Sequence, residues 1–161
     1  MSDSASCGLS VMDYDSNRNY RILIPLVEGS LLNYDINGKP VDGWKHGEES
    51  DYLSIYRGAS KDPIISPPAH YVIGKKDYIL CHHQSGRIRF LARDGHARFS
   101  PDQLLQNALS SQMTLLAGRT IEESILVYRT EEGSVRTLAF FGTDEERLGS
   151  LDGPTLLTSK G

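Results

Sequence analysis

The sequence predicts an all-β fold: about three four-stranded antiparallel, propeller-like blades with one short helix. Three observations predict it. Pairs of glycines recur at the same interval of nine residues: Gly29 and Gly38, Gly86 and Gly95, Gly133 and Gly142. The flanks of each pair match. Ile22-Leu23, Ile79-Leu80 and Leu126-Val127 precede the first glycine by seven and six residues, and Leu31, Ile88 and Val135 follow it by two. Between the glycines the chain alternates apolar and polar residues with the period of two expected of a half-buried strand, as in Arg87-Ile88-Arg89-Phe90.

Each element follows from local chemistry. The glycines mark hairpin turns, where positive φ is reached without a steric penalty, and Asn37-Gly38 and Asp94-Gly95 are strong two-residue turn signals. A first strand precedes each glycine pair: Leu9–Met12, Ala69–Ile73 and, less regularly, Met113–Leu116. A fourth strand follows the second glycine: Lys39–Trp44, His96–Ser100 and Glu145–Leu151. Four-stranded meanders repeating every 40 to 50 residues or so are the sequence form of propeller blades. The expected organisation is a single domain over residues 1–161, with blades at 9–44, 64–100 and 112–151 and a long polar loop at 45–62. Ser100-Pro101-Asp102-Gln103 has the form of a helix start, and Leu104, Leu105, Ala108 and Leu109 share one helical face, so a helix is expected over 101–110. A β-sandwich of similar hairpins is the alternative architecture.

The segments Tyr34-Asp35-Ile36-Asn37-Gly38-Lys39 with Trp44, and Asp77-Tyr78-Ile79-Leu80 with Gly86, Leu91 and Asp94-Gly95, resemble the repeats of quinoprotein-like (PQQ-type) β-propellers. In that family an aspartate, a turn glycine and a tryptophan close each blade on the next. Asp35, Gly38 and Trp44 carry the pattern here, and Trp44 is the only tryptophan. The resemblance implies a propeller-like fold, whose members include scaffolds without a cofactor.

Composition narrows the function. The chain has 39% hydrophobic and 24% charged residues and a net charge of −4, so bulk electrostatics favour neither nucleic acid nor an anionic membrane. No run approaches a membrane span, and the first ten residues carry no signal-peptide pattern; the resembled family would place the chain in the cell envelope had such a signal been removed. Asp13, Asp15, Asn17 and Asn19 place oxygens at alternate positions and are the candidate calcium ligands. Arg18 stands where a calcium loop needs glycine, however, and a polar turn explains the same residues. His70 and Cys81, placed opposite each other by the Gly74–Asp77 turn, with His82 and His83 beside them, supply too few same-face ligands for zinc. No nucleophile elbow, paired carboxylate or phosphate loop stands out. Charge divides unevenly: residues 70–98 carry six Lys or Arg against two Asp, and residues 131–152 six Asp or Glu against two Arg.

The expected function is therefore non-catalytic: a protein-interaction or structural scaffold, part of a larger or self-associating propeller, with no cofactor. Trp44, Arg87 and Arg89 are its candidate contact residues. The alternative is a blade segment that binds a small molecule or glycan through Trp44 and the 45–62 loop.

Overall fold

A computed structural model describes residues 4–44, 62–99, 105 and 108–140, with backbone alone for 108–112. The described residues are all β. The strands are β1 (Ser10–Met12), β2 (Arg21–Pro25), β3 (Leu31–Asp35), β4 (Ala69–Ile73), β5 (Lys76–His82), β6 (Ile88–Leu91), β7 (Ala97–Phe99), β8 (Ala108–Leu116), β9 (Ile125–Thr130) and β10 (Val135–Ala139). They form three antiparallel sheets, ordered β1-β2-β3, β4-β5-β6-β7 and β10-β9-β8. Two compact units contain them, Met1–Leu105 with the first two sheets and Gln106–Gly161 with the third.

The nine-residue glycine interval has a definite structural cause. The residues Leu26–Ser30, His83–Arg87 and Thr130–Ser134 make the same loop. The first residue's carbonyl accepts from the glycine N–H, and its N–H donates to the fifth residue's carbonyl. Residues 35–39 and 92–96 repeat it. This is a type I turn closed by one left-handed glycine, at φ from 75° to 92°. It replaces the two-residue turn expected at these sites. The only two-residue turn of that kind is Gly74-Lys75, both at positive φ, among the described residues. That turn sets His70 opposite Ile79, two residues from the expected partner Cys81. The Gly142 turn and the strand over 145–151 lie outside the described residues.

Two further corrections concern the connections. The helix expected over 101–110 is not seen. Ala108 instead opens β8 and pairs with Thr130, and after a register irregularity the ladder to β9 resumes at Met113–Tyr128, so this part of the chain finds backbone partners in a strand further along. Residues 101–104, 106 and 107 lie outside the described residues. In the first sheet the fourth strand shrinks to the bridge Tyr34–Pro40 and the bond from Val41 N–H to Asn33 O. Proline has no N–H to continue a ladder.

A lead-in segment starts each sheet in the same way. Ala5 bridges Leu26, Ile64 bridges His83, and Ala108 pairs with Thr130, in each case at the residue opening the first glycine turn. In the first unit the two sheets stack. Met12, Leu23 and Leu31 from the first pack with Ile64, Ile79, Cys81 and Leu91 from the second.

Candidate functional site

Register fixes which residues share a face. On the first sheet, Met12, Leu23 and Leu31 face the second sheet. Strand alternation then sends Val11, Ile22, Ile24, Leu32 and Tyr34 to the opposite face, where Val11 pairs with Ile22, Ile22 with Tyr34, and Ile24 with Leu32. None of these five is buried. The corresponding face of the second sheet, Ile79, Cys81 and Leu91, is at most 1% exposed because the first sheet lies on it. The other face of the second sheet, formed by Tyr78, Leu80, His82, Ile88 and Phe90, is buried too. In the second unit, one face of the sheet holds the buried Leu115, Leu126 and Tyr128. Its other face is mixed, with Leu116, Ile125, Val127, Val135 and Ala139 beside Thr114, Arg129 and Thr137, none buried. Large apolar side chains reach the surface on both of these faces: Val11 is 58% and Leu116 49% exposed.

Polar clusters pin the two stacked sheets at opposite ends. At one end, Asp77 accepts from His70 Nε2 at 2.7 Å and pairs with Arg93 Nε at 2.6 Å. The same guanidinium reaches across to the first sheet's β1–β2 loop, at 2.6 Å from Asp15 Oδ1 and 3.1 Å from the Tyr14 carbonyl. It also lies over the Tyr14 ring, which meets the His70 ring edge-on. Burial raises the Asp77 carboxyl, but the hydrogen bonds from His70 and Arg93 outweigh it and hold it below the usual range. Burial, helped by the Asp77 charge, pushes the Tyr14 phenol up to about 12. At the other end Asp62 links two turns. Its carbonyl lies against Gly29 and is 2.9 Å from His83 Nδ1, while its carboxylate accepts from Ser85 N–H and Oγ. Between these ends, Ser6 and Ser10 hydroxyls donate to the carbonyls of Ile64 and Pro68.

The residues singled out from sequence fall as follows. Trp44 is half-buried against the core, its indole N–H donating to Leu31 O at 2.6 Å, so it braces the first sheet. Arg87 is exposed beside its turn, and Arg89 is half-buried opposite Cys81. The 45–61 part of the polar loop lies outside the described residues. In the candidate calcium loop, Asp13 accepts from Asn17 and Arg18 N–H, Asn17 from Asn19 N–H, and Asn19 from Arg21, while Asp15 is held by Arg93. Their oxygens serve the turn itself. Among the described residues no three His, Cys, Asp or Glu side chains are grouped to hold a metal ion. Cys81 is fully buried, and burial pushes its thiol up to about 12. His82 is likewise buried, and burial with the neighbouring His83 lowers it to about 4.

Sequence reasoning did not single out the Arg93 and Asp62 anchors. Arg93 and Asp15 are 78 residues apart, and Asp62 and Ser85 are 23 apart. Their only signal was the identity of Arg93 and Asp94 within a turn pair, which reads as an ordinary solvated loop. No family model, curated protein or solved structure matches the chain.

Proposed function

We propose that the chain is a non-catalytic protein-interaction scaffold, a propeller-like stack of blades of the quinoprotein-like kind that engages other proteins through an uncovered blade face. One observation carries this: the first sheet's face of Val11, Ile22, Ile24, Leu32 and Tyr34 carries no charged group, with Val11 58% exposed and the other four half-buried. Contiguous apolar surface of this sort marks interaction sites. A sheet face with an adjacent edge strand, here β1, suits a folded partner better than a small ligand. The uses found for Trp44, Asp62 and Arg93 agree, since each holds one sheet to itself or to the next. The test compares affinity capture by the intact chain and by Val11→Lys, a change at an exposed position that leaves the core alone. The expected result is a protein bound by the first and lost by the second. Capture that is indifferent to Val11→Lys would overturn the reading.

A further inference from the structure

The two stacked sheets of the first unit gather several loops at one end. Arg93 joins the β6–β7 turn to the β1–β2 loop at Asp15. Asp35 pairs with Arg21, just after that loop, so the 35–39 turn lies there too, and the meander of the second sheet brings the Gly74-Lys75 turn to the same end. Asp62 marks the opposite end, where it links the Gly29 and Ser85 turns.

Cations and carboxylates are nearly equal in number at the loop end, but they are placed differently. Asp13 and Asp35 accept from backbone N–H groups of their own turns, and Asp77 accepts from His70 and Arg93. All three are half-buried. Asp15 is paired with Arg93, and Asp94 lies 3.2 Å from His96 Nδ1. Arg18, Lys39, Lys75, Lys76 and Arg98 are instead exposed, and among the described residues they make no ion pair. The Arg98 guanidinium is held over the Tyr78 ring at 5.3 Å, two residues along β5 from Lys76. The carboxylates thus serve the fold, and the outer layer of this end is cationic.

Apolar side chains stand among these cations. Ile36 is 64% and Val72 59% exposed, more than any other large apolar residue described, and Tyr20 is 36% exposed. A nucleic-acid backbone is bound through its phosphates and has no use for Ile36 or Val72. A peptide carrying both carboxylates and apolar side chains matches both kinds of group. Sheets about 10 Å apart, with strands about 4.8 Å apart, make this end roughly 20 Å across, or about six extended residues.

We propose that this loop end is a second docking surface, which takes a short extended segment of a partner protein in which acidic residues alternate with large apolar ones. The carboxylates of that segment pair with the exposed Lys and Arg side chains, and its apolar side chains cover Ile36, Val72 and Tyr20. The surface is distinct from the front face of the first sheet, so it can fail its test while the scaffold reading stands. Arg18 and Lys75, at φ 66° and 68°, occupy left-handed backbone that glycine reaches more easily, so the turns themselves give no reason for a long cationic side chain at either position.

The test is fluorescence anisotropy of the full chain with a rhodamine-labelled peptide of about eight residues that alternates Glu and Leu. Saturable binding is expected. Arg18→Gly and Lys75→Gly together should weaken it at least about fivefold, with urea unfolding close to that of the intact chain because glycine keeps each backbone N–H. Raising salt from about 0.1 to about 1 M, which shortens the screening length from about 10 to about 3 Å, should weaken it as well. Peptides with Gln for Glu, or Ser for Leu, should each bind at least about fivefold more weakly. Arg87→Gln, which removes an exposed cation beside a turn at the opposite end, should leave the affinity unchanged. Absence of saturation at millimolar peptide overturns the inference, as does an affinity indifferent to the paired glycine variant, or lowered as much by Arg87→Gln. Tighter binding of a single-stranded oligonucleotide of equal length also overturns it, by showing a phosphate-binding surface instead.

Discussion

Alanine at the turn glycines separates two costs that the fold combines. At Gly38, with φ +75° and nothing within 4 Å of a built side-chain carbon, alanine meets only the left-handed backbone penalty, about 1 kcal/mol. At Gly29, with φ +92°, the same carbon would lie 2.5 Å from the Asp62 carbonyl oxygen. That oxygen must retreat by most of an ångström to reach ordinary contact, and it is not free to do so. It is bonded to His83, and the Asp62 carboxylate is bonded to Ser85. Loosening two such bonds costs about 1–3 kcal/mol, so Gly29→Ala should lose about 3 kcal/mol in all. Urea unfolding followed by Trp44 fluorescence is a suitable assay, since the only tryptophan packs on the core that joins the first two sheets. Equal losses for Gly29→Ala and Gly38→Ala would refute the claim that Asp62 backs the Gly29 turn.

Arg93→Ala should destabilise the first unit by about 1–2 kcal/mol, discounted because the guanidinium is partly exposed, and the same Trp44 melt measures it. The Asp77 carboxyl should then titrate nearer its ordinary range, so acid unfolding should begin at higher pH than in the intact chain. His82 adds a second pH dependence. Its folded value is lowered to about 4, so between there and the unfolded value near 6.5 the unfolded chain binds the proton and the folded chain does not. Stability should be full above that window and fall by at most about 3 kcal/mol as pH drops through it, a slope that His82→Phe should flatten in melts at graded pH.

The repeat was legible because its cause is local. A left-handed glycine closes each turn, and the strands between have a period of two, so Gly29, Gly86 and Gly133 announce themselves without any knowledge of the tertiary structure. The turn type was less legible. Asn37-Gly38 satisfies the pattern of a two-residue turn, but Asp35 accepts from both Asn37 and Lys39 N–H and so stabilises the longer loop. The helix failed for a related reason. Pro101 and the apolar spacing of Leu104 to Leu109 are local signals, whereas the pairing of Ala108 with Thr130 depends on a strand further along the chain. The stacked faces were half legible. Ile22-Leu23-Ile24 is apolar on both faces, as expected of a strand covered on both sides, yet the sequence does not say that Leu23 is fully buried while Ile22 and Ile24 are half-buried.

That last point bears on how partners would be chosen. The charged groups with the best geometry, Arg93 with Asp77 and Asp15, and Asp62 with Ser85, are committed to the joint between the first two sheets. A partner at the front face therefore meets Val11, Ile22, Ile24, Leu32 and Tyr34, with no charge among them. Selectivity there cannot come from ion pairing and must come from shape, in which a single misplaced methylene is felt. The internal joint already works in this way at its centre, where Leu23 and Leu31 lie on Ile79 and Cys81, and places its polar anchors at the two ends. A partner that reproduced only the apolar centre would bind without register. One that also supplied polar anchors at both ends, as Arg93 and Asp62 do within the chain, would be fixed in position.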